Sequence, residues 1–154
     1  MSQPLEVVLL AHVAATLFMT GMIWFVQVVH YPLLARVGRT EFADYESAHV
    51  RLTTPVVAPA MLLEAATAVV LAIDRPTHIS AAACWAGLGL LVLIWSSTVM
   101  LQVPRHNALT TGFEVRAQRL LVLSNWVRTV AWTASSLLAL LILWQAAFGG
   151  WSSV

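Results

Sequence analysis

Three histidines and one glutamate are the residues of this sequence whose types best fit metal or proton chemistry. His30, His49 and His106 lie in three separate segments, and Glu64 lies at the centre of a long apolar stretch. Imidazole and carboxylate groups are ligands of iron, copper and zinc, and they also act as acids and bases. We predict that the four side chains converge on one site, although interfacial histidines bonded to water would leave the same pattern.

A second set of polar side chains follows one helical face closer to the C-terminus. Asn125, Arg128, Trp132 and Ser135 recur at the spacing i, i+3, i+7 and i+10. Asn125 and Arg128 are suited to polarising a substrate oxygen, and we assign them, with Glu64, to catalysis. A buried carboxylate must find a partner or be protonated. The sequence therefore also predicts that Glu64 and Arg128 are coupled, directly or through Asn125 or water, which is compatible with a purely structural ion pair.

Aromatic and amide side chains near these groups predict a pocket for an apolar substrate. Trp95 shares a helical face with Gln102 and His106, and Trp132 lies on the stripe described above. Their flat indole rings are suited to walling a pocket for an aromatic or quinone-like molecule, although most membrane tryptophans serve packing or interfaces. The predicted lining consists of Gln27, Tyr31, Tyr45, Trp95, Gln102 and Trp132.

His12 raises the alternative of haem binding. It lies 18 residues before His30, about 27 Å away along a helix, so one site cannot use both. Two stacked haems could take them as axial ligands, and the outer haem would then need His78 as its second histidine. We favour a hydrogen-bonded His12 in the protein interior.

The elements that position these residues lie in a membrane, because the composition is far from that of a soluble domain. Of 154 residues, 60% are hydrophobic and 10% are charged, against about 45–50% and about 25% in soluble domains. All eight basic residues are arginines and the net charge is +1, which argues against a nucleic-acid-binding surface. The single cysteine, Cys84, excludes an internal disulfide and a cysteine-built zinc site.

Four apolar stretches are long enough to cross the hydrocarbon core of a bilayer, which takes about 20 residues. They span residues 7–29, 54–73, 79–103 and 120–144. We predict one all-α domain over residues 1–154, an integral membrane four-helix bundle in contact with lipid. After the first span, Phe42, Tyr45, His49 and Leu52 recur at helical spacing, which predicts a short amphipathic cytoplasmic helix. Homo-oligomerisation is left open.

The arginines predict the orientation of the bundle. Six of the eight lie in or beside the two longer connections, at positions 36, 39, 51, 105, 116 and 119. Cytoplasmic loops of membrane proteins carry an excess of basic residues. We therefore expect these two connections on the cytoplasmic side, both termini outside the cytoplasm, and a multi-pass protein of the bacterial inner membrane.

Several segments resemble a family of small, largely uncharacterised bacterial four-helix membrane proteins. They are residues 21–33, the set Phe42, Tyr45 and His49, residues 102–109, and residues 125–129. More remotely, Pro104, Asn107 and Leu109, together with the Asn125 and Arg128 pair, are similar to the anthrone-oxygenase-like membrane family. That family is associated with oxidation of polycyclic aromatic substrates. The resemblance implies a four-helix membrane fold and an oxidative activity.

Three functions are compatible with these observations. The first is a membrane-embedded oxidoreductase that acts on an apolar, aromatic or quinone-like molecule, at the histidine and glutamate site near the cytoplasmic face, with a bound transition metal such as iron, copper or zinc. The second is a non-enzymatic protein that binds lipid or a small molecule, or a subunit of a larger membrane complex, whose polar groups serve helix association. The third is haem binding, or proton-coupled transport through Glu64.

Overall fold

The computed structural model describes residues 2–76 and 79–148, and His78 lies outside them. The described residues form four long helices without strands: α1 (Gln3–Leu34), α2 (Phe42–Ile73), α3 (Ala81–Leu109) and α4 (Val115–Phe148). By length and composition, each helix is apolar and long enough to cross a membrane. The protein is therefore an all-α, multi-pass membrane four-helix bundle, as the sequence predicts.

The helices pack in a ring, with α1 against α2 and α4, and α3 against α4 and, less closely, α2. Polar side chains such as Glu64, Asn125 and Thr129 are buried inside the ring, whereas large apolar side chains such as Leu62 and Leu137 are exposed on its outside. This distribution is expected in lipid, where polar groups must find partners inside the protein. We call the end of the bundle that carries the 35–41 and 110–114 connections the arginine-rich end.

The segment predicted as a separate amphipathic helix is helical, but it is the first part of α2. That helix runs without a break from Phe42 through Pro55 and Pro59 to Ile73. Phe42 is fully buried at the arginine-rich end, where its ring meets that of Phe113 edge to face at 4.9 Å. Burial of this first turn against the neighbouring helix ends favours extension of α2 beyond the apolar span.

The face that this first part of α2 buries also differs from the predicted one. Tyr45 and Leu52 are exposed, at 42% and 64%, whereas Phe42 and Glu46 have no exposed area. The rotation of a continuous helix is set along its whole length by the packing of the span. The pattern of residues 42–52 therefore identifies Phe42 and His49 correctly but places Tyr45 and Leu52 on the inward face wrongly.

Two π-helical turns interrupt α1 and α3 near the arginine-rich end. They cover Val26–His30 and Thr98–Gln102, and each begins six residues before a proline, Pro32 or Pro104. Proline has no N–H to donate, and its ring pushes away the carbonyl of the preceding turn. The extra residue of a π turn rotates the side chains that follow it, and such turns often lie at functional sites. Here both turns contribute wall residues, namely Val26, Thr98 and Gln102, to one cavity between the helices.

Candidate functional site

An apolar cavity of about 170 Å³ opens among α1, α2 and α3 and extends toward the arginine-rich end. The apolar part of its wall consists of methionine, valine and isoleucine side chains. The polar groups that reach it are Tyr31, His49, Thr53, Thr54, Thr98, Gln102, His106, Asn107 and Arg128. Ligand sites commonly combine apolar walls with a few polar groups of this kind. This cavity is the candidate functional site.

The structure brings the three histidines together at this cavity. The rings of His30 and His49 stack, with centroids 4.2 Å apart and planes 20° apart. The ring of His106 follows at 5.5 Å from that of His49. His49 and His106 line the cavity, and His30 lies behind His49.

The carboxylate that joins the histidines is Glu46. Its Oε1 lies 2.5 Å from Nδ1 of His106, and the Nε2 atom of that ring lies 3.3 Å from the hydroxyl of Tyr31. Glu46 is fully buried and Tyr31 is 1% exposed. When the carboxylate accepts a hydrogen bond from Nδ1–H, Nε2 carries no proton and can accept a hydrogen bond from the phenol hydroxyl. The three groups therefore form a relay that ends at the cavity.

Sequence reasoning missed Glu46, although a signal for it was present. Phe42, Glu46, His49 and Thr53 recur at i, i+4, i+7 and i+11 on α2. This is one continuous helical face, and it is the face that turns inward. The sequence pattern instead placed the neighbouring Tyr45 in the predicted pocket lining.

Glu64 does not join the three histidines, contrary to the prediction. It lies 15 residues beyond His49 on the same helix, which is about 22 Å along the axis. Its Oε2 accepts a hydrogen bond from the indole Nε1 of Trp132 at 3.0 Å. With His12 it lines a separate cavity of only about 10 Å³, which is about the space of one water.

The Glu64 and Arg128 side chains make no ion pair, because Trp132 lies between them. The Arg128 guanidinium packs over the indole ring at 5.0 Å from its centroid, while the indole nitrogen donates to Glu64. Among residues 2–76 and 79–148, the one ion pair recorded is that of His106 with Glu46. The predicted coupling is direct or passes through Asn125 or water, whereas in the structure the residue that contacts both side chains is Trp132.

Arg128 reaches the cavity from α4 and is 9% exposed. Its Nη1 donates to Oδ1 of Asn125 at 3.3 Å, and Asn125 donates in turn to Oε1 of Gln27 at 2.8 Å. Asn125 and Gln27 are buried and do not line the cavity. The role of these two amides in the structure is to hold Arg128 and to join α1 to α4.

Of the residues predicted to line a substrate pocket, some line the cavity and others do not. Tyr31 and Gln102 line the cavity, and Gln102 donates to the hydroxyl of Ser124 at 3.0 Å. Tyr45 stacks on the outer side of the His30 ring at 6.4 Å. Gln27, Trp95 and Trp132 pack within the bundle and do not line the cavity. Wall residues that the sequence did not single out include Met19, Met22, Val57 and Thr98.

The residues of the site are not arranged as a metal centre. Within the described residues, no group of three or more His, Cys, Asp or Glu side chains is placed to hold a metal ion. Both ring nitrogens of His106 are already engaged, by Glu46 and Tyr31. The lone pairs of imidazole lie in the ring plane, so the nearly parallel rings of His30 and His49 cannot both aim at one ion at ~2.0–2.1 Å. The geometry fits proton transfer better than metal ligation.

His12 is a hydrogen-bonded interior residue, as predicted. Its Nδ1 lies 3.0 Å from the hydroxyl of Thr67, and the side chain is 8% exposed. The second ligand of the outer haem, His78, lies outside the described residues.

No family model, no curated protein and no solved structure matches this chain. The resemblance to the small bacterial four-helix family and to the anthrone-oxygenase-like family therefore stays a prediction.

Proposed function

We propose that this protein is a membrane-embedded, oxidoreductase-like protein that binds an apolar, aromatic or quinone-like small molecule and exchanges a proton with one of its oxygens. The observation that carries the proposal is the cavity with apolar walls, at which the buried relay of Glu46, His106 and Tyr31 ends. Apolar walls accommodate a flat ring, and polar groups at a few points orient it.

Each member of the relay has a separate part in proton exchange. Tyr31 lines the cavity, so its hydroxyl meets the oxygen of the bound molecule. His106 is the base behind it, because its Nε2 faces that hydroxyl. Glu46 holds the imidazole by Nδ1 and stabilises its protonated form, as a carboxylate does behind a catalytic histidine.

An oxidative reaction is favoured for two reasons. Interconversion of a quinone and its quinol transfers two electrons and two protons. The relay is suited to moving a proton at a ring oxygen, and the electrons would be exchanged with a separate membrane electron carrier. The resemblance to the anthrone-oxygenase-like family points to aromatic substrates of the same kind. A metal centre is not part of the proposal, since the imidazole rings are not oriented for one.

A non-enzymatic binding protein or complex subunit is the second candidate. Its support is the number of buried polar contacts that join helices, such as that of Asn125 with Gln27 and that of Thr20 with Ser136. Such bonds favour helix association in membranes. This candidate shares the cavity but not the proton relay, so a loss of turnover without loss of binding in a relay variant would argue against it.

We also propose that the arginine-rich end faces the cytoplasm of a bacterial inner membrane, with both termini outside. Six of the eight arginines lie in or next to the two connections at this end. In a Cys84→Ser background, an impermeant thiol reagent added to intact cells should label Asp74→Cys but not Thr40→Cys. The reverse pattern would invert the proposed orientation.

Binding of a naphthoquinone to the purified protein in lipid nanodiscs tests the main proposal. Val57 lines the cavity, so Val57→Phe should fill it and weaken binding by about tenfold or more. The matched control is Val56→Phe, one residue away and 49% exposed on the outside of the bundle, which should bind within about twofold of wild type. Absence of binding to the wild type, or equal binding by both variants, would contradict the proposal.

A further inference from the structure

Arg128 differs from the other arginines of this chain. It is 9% exposed, whereas the other seven are exposed or half-buried. It also lies within the span of α4 rather than near a helix end. A guanidinium remains protonated in proteins. The bundle therefore carries a permanent positive charge inside the apolar span.

No carboxylate of the described residues pairs with this charge. The partners of Arg128 are neutral, namely the amide oxygen of Asn125 and the ring of Trp132. Its Nε is buried and has no hydrogen-bond partner among the described residues. A cation over an indole ring is stabilised by the negative face of the ring, but the ring supplies no counter-charge. A buried cation without an anion is costly in an apolar interior.

The unpaired guanidinium faces the cavity. Arg128 is the one arginine among the residues that line it, and none of the lining residues is a carboxylate. The carboxylate of Glu64 is directed to the other side, at the indole nitrogen of Trp132. A counter-ion for Arg128 must therefore come from the occupant of the cavity.

We propose that the cavity contains an anion subsite at Arg128, and that its ligand is an apolar ring compound with an acidic oxygen, such as a phenolate or an enolate of the hydroxyquinone class. This inference rests on the proposed function and narrows its substrate class. The guanidinium pairs with the charged oxygen, while Met19, Met22 and Val57 contact the ring. A charge-assisted bond of this kind is stronger than a neutral one.

Two probes of nearly the same shape test the subsite on the wild-type protein. The first is an acidic hydroxynaphthoquinone, which is an anion at neutral pH, and the second is its neutral methyl ether. In nanodiscs of neutral lipid, the wild type should bind the anion more tightly by about tenfold or more. Equal affinity for both probes overturns the subsite while leaving the proposed function standing. Failure to bind either probe overturns both.

Three variants test whether Arg128 is the residue that causes the preference for the anionic probe. Arg128→Gln should abolish the preference for the anion. Asn125→Asp should do the same with the arginine still present, because it places a carboxylate at the atom that now accepts from Arg128. Arg105→Gln is the control, since Arg105 bonds to the carbonyl of Leu101 and does not line the cavity, and it should keep the wild-type preference. A preference that survives in both Arg128→Gln and Asn125→Asp would assign it to another group and overturn the proposal.

Discussion

The bundle contains two buried centres that each combine a histidine with a glutamate, and they differ in access. At the first, Glu46 bonds directly to His106, and the pair lies at a cavity of about 170 Å³. At the second, Glu64 and His12 line a space of about 10 Å³. The same residue types thus make a site that can admit a ring compound and a site that can admit one water.

The two centres also differ in their partners. Glu46 meets an imidazole that can become a cation, whereas Glu64 meets the neutral indole of Trp132 and His12 meets the neutral hydroxyl of Thr67. The first arrangement allows a proton to move, and the second joins helices by neutral hydrogen bonds. Residue type alone therefore does not identify a functional centre in a membrane bundle.

Local helix geometry accounts for the difference in space. The π turns at Val26–His30 and Thr98–Gln102 lie beside the first centre, and Val26, Thr98 and Gln102 line its cavity. At the second centre the helices are regular and pack through small residues such as Ala68, Gly87 and Ala139. Close approach of the helices leaves room for little more than the polar side chains themselves.

The largest expected effect concerns the two glutamates. Glu46→Gln removes the charged partner of the half-buried His106 imidazole and should lower the free energy of unfolding by about 1.5–3 kcal/mol, the usual range for a hydrogen bond to a charged group. Glu64→Gln keeps an oxygen that accepts from Trp132, so its cost should be about 1 kcal/mol or less. Reversible unfolding in mixed micelles measures both. Equal losses in the free energy of unfolding for Glu46→Gln and Glu64→Gln would contradict the proposed difference between the two centres.

A smaller effect is expected at Trp132. Trp132→Phe removes the donor to Glu64 and should cost about 1–3 kcal/mol, the penalty for an unsatisfied buried polar group. The control is Trp95→Phe, whose Nε1 has no partner among the described residues, and its cost should be under about 1 kcal/mol. In the same unfolding assay, Trp132→Phe combined with Glu64→Leu should cost less than the sum of the single changes. If the two single costs add exactly in the double variant, Trp132 and Glu64 are not coupled.

The two tyrosines of the first centre should differ in ligand binding. Tyr31→Phe removes the hydroxyl that lines the cavity, and naphthoquinone affinity should fall by about fivefold to tenfold. Tyr45→Phe changes a residue on the outer side of His30, so affinity should stay within about twofold. Titration calorimetry in nanodiscs compares the variants. A larger loss in Tyr45→Phe would move the binding site to the outer side of the histidine stack.

The smallest effect is expected from removal of metal. Because the His30 and His49 rings are nearly parallel, dialysis against a chelator should leave naphthoquinone affinity within about twofold of its starting value. Metal analysis of the purified protein accompanies the titration. Near-stoichiometric iron, copper or zinc that disappears when the three histidines are replaced would favour the metal-dependent alternative instead.

Much of the fold was predictable because the signals for it are local. Length and apolarity identify a membrane span without knowledge of its neighbours. The burial of Gln27, Asn125 and Arg128 was predictable for a related reason, since polar groups in a span turn away from lipid. The distance between Glu64 and His49 was also accessible, because residue counting along one helix places them about 22 Å apart.

The composition of the site was less predictable. Glu46 and Tyr45 are neighbours in sequence, and the pattern of residues 42–52 favoured Tyr45 as the inward residue. The structure buries Glu46 instead, because the rotation of α2 is set by packing far along the helix. Trp95 and Trp132 likewise lie on the predicted stripes, yet both pack within the bundle beside the cavity rather than in its wall.

By itself, the sequence determined four apolar helices and the polar residues that must avoid lipid, because both follow from the cost of placing polar groups in hydrocarbon. Only the tertiary structure decided which of those polar residues share a site. That choice depends on the rotation of each helix and on the two π turns before Pro32 and Pro104, which shift the faces of α1 and α3. A rotation of one residue, about 100° in a helix, separates a side chain in the cavity from one in the lipid.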